Sequence, residues 1–132
     1  MRRLTTGIHH FALKPQGDAA FERTVAFYKD VLGMPLIRSW DSNAMRGAML
    51  DSGAGIVEVV SNGTDSPGAG CIRHLAFATD DVDACASAVR SAGYEITIEP
   101  VNREIASNPP YPIRICFCIG PLGEEIEFFQ EL

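Results

Sequence analysis

Near the start of the chain, Ile8-His9-His10-Phe11-Ala12-Leu13 reads as a strand, with His9, Phe11 and Leu13 on one face and His10, Ala12 and Lys14 on the other. The period then lengthens. Phe21, Val25, Tyr28 and Leu32 recur at helical spacing, which predicts an amphipathic helix with Asp18 as its N-terminal cap and Gly33 as a left-handed stop. Three strand-like runs follow, Met34 to Ser39, Ala48 to Asp51 and Ile56 to Val60.

The whole succession then recurs. Ile72-Arg73-His74-Leu75-Ala76-Phe77 matches the first strand 64 positions later, with Ile, His and Ala in the same register. Asp80 and Asp81 precede Val82, Cys85, Val89 and Ala92, again at helical spacing, and Gly93 ends that run. Strands are expected at Tyr94 to Ile98, Ile113 to Ile119 and Glu125 to Phe129. Each half therefore reads βαβββ. The expected fold class is α+β, with two tandem modules, 7–62 and 71–132, in a single domain spanning 1–132. The polar, glycine-rich stretch 61–70 is the connector between them, and the proline-rich stretch 101–112 reads as an irregular solvent loop.

Face parity singles out four residues. In the closing strands Val57 and Val59 oppose Glu58, while Ile126 and Phe128 oppose Glu127, and the two glutamates correspond at an offset of 69. The bulky apolar faces are expected to pack against each half's helix, which leaves His10, Glu58, His74 and Glu127 on the opposite faces. Should each sheet curl, with a pseudo-twofold axis relating the two halves, these four converge on a cleft as two imidazoles and two carboxylates. Such a set holds one divalent metal ion, with zinc, nickel, cobalt, manganese and iron all acceptable. Any one of them alone would pass for an ordinary solvated strand residue; what joins them is matched position and matched face in both repeats. His9 has Arg73 as its counterpart and is read as structural, on the helix side.

Composition narrows the surroundings. The 132 residues are 46% hydrophobic and 21% charged, enough for a self-sufficient core, and no apolar run reaches the ~20 residues of a membrane span. A net charge of −6 disfavours nucleic acid or an anionic membrane as partner, and no secretory signal is apparent near the start, so the cytoplasm is the expected location. The four cysteines include no CxxC pair. Cys116 and Cys118 would share a strand face, where packing is the simpler reading and a thiolate metal site the alternative.

At these residues the chain resembles the vicinal oxygen chelate superfamily of glyoxalases, bleomycin-binding proteins and dioxygenases. The resemblance rests on Ile8-His9-His10, the run Phe27 to Met34, Ile56-Val57-Glu58, His74-Leu75-Ala76 and Gly123 to Glu127, and covers essentially the whole chain. Glu58 at the second ligand position is similar to glyoxalase I, whereas the epimerases have glutamine there. That likeness implies a metal-dependent lyase or isomerase acting on a small thiol adduct, a hemithioacetal, through proton abstraction and a metal-stabilised enediolate. It implies Glu127 as the base with Glu58 second, Lys14 and Asn62 as substrate-binding residues, and a C2 homodimer whose site is held within one chain or shared between two. Lys14 stands where the glutathione enzymes carry arginine, and Gly120-Pro121-Leu122-Gly123 replaces their Asp-Pro-Asp-Gly turn, so the thiol stays open. A CoA-ester epimerase, an extradiol dioxygenase and a non-enzymatic antibiotic-binding dimer are the alternatives within the superfamily.

Overall fold

A computed structural model describes residues 2–42, 44–64 and 70–132. The chain divides into two compact units, Met1–Ser66 and Pro67–Leu132. In the first, β1 (His10–Leu13) leads to α1 (Gly17–Ala26), a π-helical turn at Phe27–Val31, then β2 (Leu36–Asp41), β3 (Arg46–Asp51) and β4 (Ile56–Val60). In the second, β5 (Leu75–Ala78) leads to α2 (Val82–Ser91), β6 (Ile96–Ile105), β7 (Tyr111–Ile119) and β8 (Glu125–Glu131). Each unit thus carries the βαβββ order in one four-stranded mixed sheet. The strand orders are β1-β4-β3-β2 and β5-β8-β7-β6, with the first and last strands parallel and the other neighbours antiparallel. Among the described residues no helix is long and apolar enough to cross a membrane.

The two helices begin and pack differently. Asp81 caps α2 as expected, its carboxylate accepting the Ala84 N–H at 2.9 Å, and Val82, Ala86 and Val89 form the buried stripe. The Asp18 cap is not borne out: Gly17, at φ +82°, opens α1, Gln16, two residues before Asp18, takes the cap position without a side-chain bond, and Asp18 sits inside the first turn. The expected stripe through Val25 and Leu32 is also displaced. In the wide turn Leu32 N–H donates to Phe27 O at 3.1 Å, and the extra residue turns both Phe27 and Tyr28 inward, to 1% and 0% exposure. Thr24 is buried as well, its hydroxyl donating to Ala20 O at 2.7 Å.

The remaining correction concerns 101–112. β6 runs on to Ile105 and β7 starts at Tyr111, so only 106–110 are irregular, and all five are exposed. Pro112 is accommodated in β7 because its carbonyl accepts from Leu132 N–H, which points its nitrogen beyond the end of β8 where the ladder needs no donor.

Most of each core lies on the helix side of its sheet, while Val60, Ile113 and Ile115 are buried on the other face. Val57, Val59, Ala48 and Leu50 meet Phe21, Phe27 and Tyr28 in the first unit; Ile126, Phe128, Cys116 and Cys118 meet Val82, Ala86 and Val89 in the second. Cys116 Sγ lies 4.0 Å from Val82 O, and burial pushes the Cys116 thiol up to about 11 and the Cys118 thiol up to about 12. They are packing residues.

Candidate functional site

With the helix faces occupied, alternation sends His10, Ala12, Ile56, Glu58 and Val60 to the opposite face of the first sheet. Glu58 is in register with Ala12 rather than with His10, so the histidine and glutamate meet on the diagonal across a small side chain. Their closest approach is 3.8 Å, His10 Nε2 to Glu58 Oε1. The second unit repeats the arrangement: Glu127 is opposite Ala76, and His74 Nε2 reaches Glu127 Oε1 at 3.3 Å. The two alanines that match between the repeats are therefore the residues that leave room for each pair.

Glu127 is the more enclosed carboxylate, 8% exposed. Burial raises its pKa above the ordinary carboxylate range, and the opposing pull of His74 only partly offsets this. Phe117, in register with Glu127, stands edge-on to the His74 ring at 5.4 Å between centroids. The charge of Arg103, in β6, also favours the ionised form. Sequence reasoning missed both: the parity of β7 would have given Phe117, and reading 101–112 as a loop hid Arg103.

His9 lies just before β1. It is exposed, and its Nδ1 lies 2.9 Å from His10 Nδ1. Lys14 and Asn62 are exposed on segments that run side by side, since Gln16 bridges to Asn62 and Gly63 N–H donates to Pro15 O at 3.0 Å. A Cβ at Gly63 would fall 2.0 Å from Lys14 O, so this approach requires glycine. A polar cleft of about 400 Å3 in the same unit is lined by Asp18, Asp41, Arg46 and Ser61 among others, and by none of the candidate residues.

Donor atoms that share a small divalent ion at about 2.0–2.2 Å lie about 3.0–3.6 Å apart at ordinary coordination angles. Separations of 3.3 and 3.8 Å between imidazole nitrogen and carboxylate oxygen are close to that range, so each pair fits two positions around such an ion. Within either unit, among the described residues, no third His, Cys, Asp or Glu joins to make a metal-binding group of three.

Residues 7–107 match the family model of the Glyoxalase/Bleomycin resistance protein/Dioxygenase superfamily. The chain belongs to this superfamily. It is 31% identical over 117 residues to a lactoylglutathione lyase of Haemophilus influenzae, with 83% of each protein covered. Among solved structures, glyoxalase I from Zea mays superposes with a TM-score of 0.70 at 29% identity, covering 94% of this chain and 44% of that one. TnmS3, an antibiotic binding protein from Streptomyces sp. CB03234, gives a TM-score of 0.73 at 21% identity over 99% of this chain and all of that one, a likeness of fold.

Proposed function

We propose that this member of the superfamily is a glyoxalase I-type lyase or isomerase, which takes a proton from carbon in a small thiol adduct such as a hemithioacetal. The observation that carries the proposal is the pair of repeat-related His–Glu contacts, each on the sheet face that its helix leaves free. His10, Glu58, His74 and Glu127 would together hold one divalent ion, two from each module. When bound, the ion supplies Lewis-acid stabilisation of the negative charge that develops on a substrate oxygen.

The residues divide the remaining work. Glu127 accepts the carbon proton, because a desolvated carboxylate is a stronger base than a solvated one and His74 fixes its orientation. Glu58 is the second candidate for that role. Lys14 and Asn62, on adjacent segments at one end of the first sheet, bind the substrate's polar groups. The lactoylglutathione lyase name of the Haemophilus influenzae relative supports a thiol adduct as substrate.

We further propose a cytoplasmic homodimer, with the site shared as His10 and Glu58 from one chain and His74 and Glu127 from the other. Open sheet edges favour a partner, and Ile8 and Ile72, repeat-matched just before the histidine positions, are 77% and 80% exposed.

Elemental analysis of the purified protein, joined to a turnover screen of methylglyoxal hemithioacetals made with different thiols, tests the reading. One equivalent of a divalent metal per site and thiol-dependent turnover are expected. Metal-free protein that turns over none of the adducts after metal addition would replace the lyase with a binding protein.

A further inference from the structure

His10 and His74 hold equivalent places in the two units, but different neighbours orient them. The His74 ring is set edge-on against Phe117, and the residue before it is Arg73. The His10 ring instead meets His9 nearly at right angles, interplanar 82°, with the two Nδ1 atoms 2.9 Å apart. Two neutral imidazoles approach through like nitrogens at this distance when one nitrogen carries the proton and the other presents its lone pair. The second nitrogen of His10, Nε2, faces Glu58 Oε1 at 3.8 Å, too far for a hydrogen bond that would keep a proton there.

We infer that His9 is a positioning residue for His10: its Nδ1 accepts the Nδ1–H of His10, which leaves His10 Nε2 as the lone-pair nitrogen beside Glu58. This rests on the metal reading proposed above, and extends it to a residue whose counterpart in the second module, Arg73, has no acceptor to offer. An imidazole that binds a metal nearly always donates its other N–H to an acceptor, which fixes both the tautomer and the ring orientation. In the first module that acceptor is a side chain, supplied from the preceding residue. His9 is exposed and outside either core, so its replacement probes orientation rather than folding.

The test uses the metal-free protein labelled with 15N at histidine, and long-range proton–nitrogen correlation spectra that report which ring nitrogen of His10 is protonated. Protonation at Nδ1 is expected in the wild type and in His9→Asn, whose amide oxygen takes the place of the accepting nitrogen, and a mixture of tautomers in His9→Phe. Zinc titrations of the same proteins should show roughly 10–100-fold weaker binding for His9→Phe, with most of the loss recovered in His9→Asn. His10→Ala is titrated alongside. Where that change weakens zinc binding, the metal reading stands, and His9→Phe binding zinc as tightly as wild type overturns the positioning role. So does wild-type His10 protonated at Nε2, or a His9 nitrogen that itself shifts to the coordinated range on zinc addition. Where His10→Ala has no effect on zinc, the metal reading fails separately, and the tautomer of the metal-free protein still decides whether His9 orients His10.

Discussion

Glu127→Gln separates the chemistry of the carboxylate from its place in the fold. The change keeps side-chain shape but removes both the basic oxygen and a charge. On stability the two consequences are opposed and small. The ion pair lost involves His74, whose side chain is 41% exposed, and such pairs contribute about 0–1 kcal/mol. Against that, a carboxylate whose charge burial disfavours is replaced by a neutral amide. The metal-free variant should therefore match the wild type within about 1 kcal/mol at neutral pH. The sign of the pH dependence follows from the same burial. With its folded pKa raised, Glu127 contributes stability that is fully present below the unfolded pKa and lost as pH rises through the folded one. Glu127→Gln abolishes that loss, so the variant should gain on the wild type between acid and neutral pH. Turnover is the large effect: removal of a general base costs ~10²–10⁴ in rate, or about 3–5 kcal/mol. Activity and metal content are measured on one metal-saturated sample, with Glu58→Gln as the paired variant. A fully metallated Glu127→Gln protein that turns over its substrate like wild type refutes the assignment of the base.

Two further outcomes depend on packing alone. Gly47→Ala would place a Cβ 1.9 Å from Trp40 Cε2, so the indole must swing off β3; a red-shifted emission from this single tryptophan and a loss of about 1–3 kcal/mol in chemical denaturation are expected, and an unchanged spectrum would show the contact to be absent. Because only the thiolate reacts and burial holds Cys116 and Cys118 up at about 11 and about 12, a thiol reagent at pH 8 should modify exposed Cys71 rapidly and those two only after unfolding.

Much of this was legible in the sequence because it depends on period. Alternation by two placed His10 and Glu58 on one face and His74 and Glu127 on another, and duplication showed the two pairs to be equivalent. What was not legible depends on tertiary geometry. A positive-φ Gly17 advanced the start of α1 past the Asp18 cap, and nothing in the run Phe27 to Leu32 announces the wide turn that buries adjacent Phe27 and Tyr28. Pro112 argued against a strand until its position beside the end of β8 was known. Ala12 and Ala76 were visible as matched letters, but only the register revealed that they face the glutamates.

Duplication also explains where the two halves part. The same diagonal His–Glu geometry has been fitted with different second neighbours: Met49 is the register partner of Glu58, whereas Phe117 is that of Glu127. The bulkier ring accompanies the more enclosed carboxylate, whose side chain is 11% exposed against 17% for Glu58, and the closer His–Glu approach, 3.3 against 3.8 Å. Desolvation has thus been concentrated in the second module, where it raises the basicity of Glu127. Hydrogen-bonded orientation has been concentrated in the first, where His9 stands in the place that Arg73 takes in the other. A proton acceptor gains from a dry setting, while a ligand nitrogen gains from a fixed tautomer. On the roles proposed for Glu127 and His10, two identical half-sites would have had to compromise between those demands, and divergence of their neighbours would let one backbone geometry meet both.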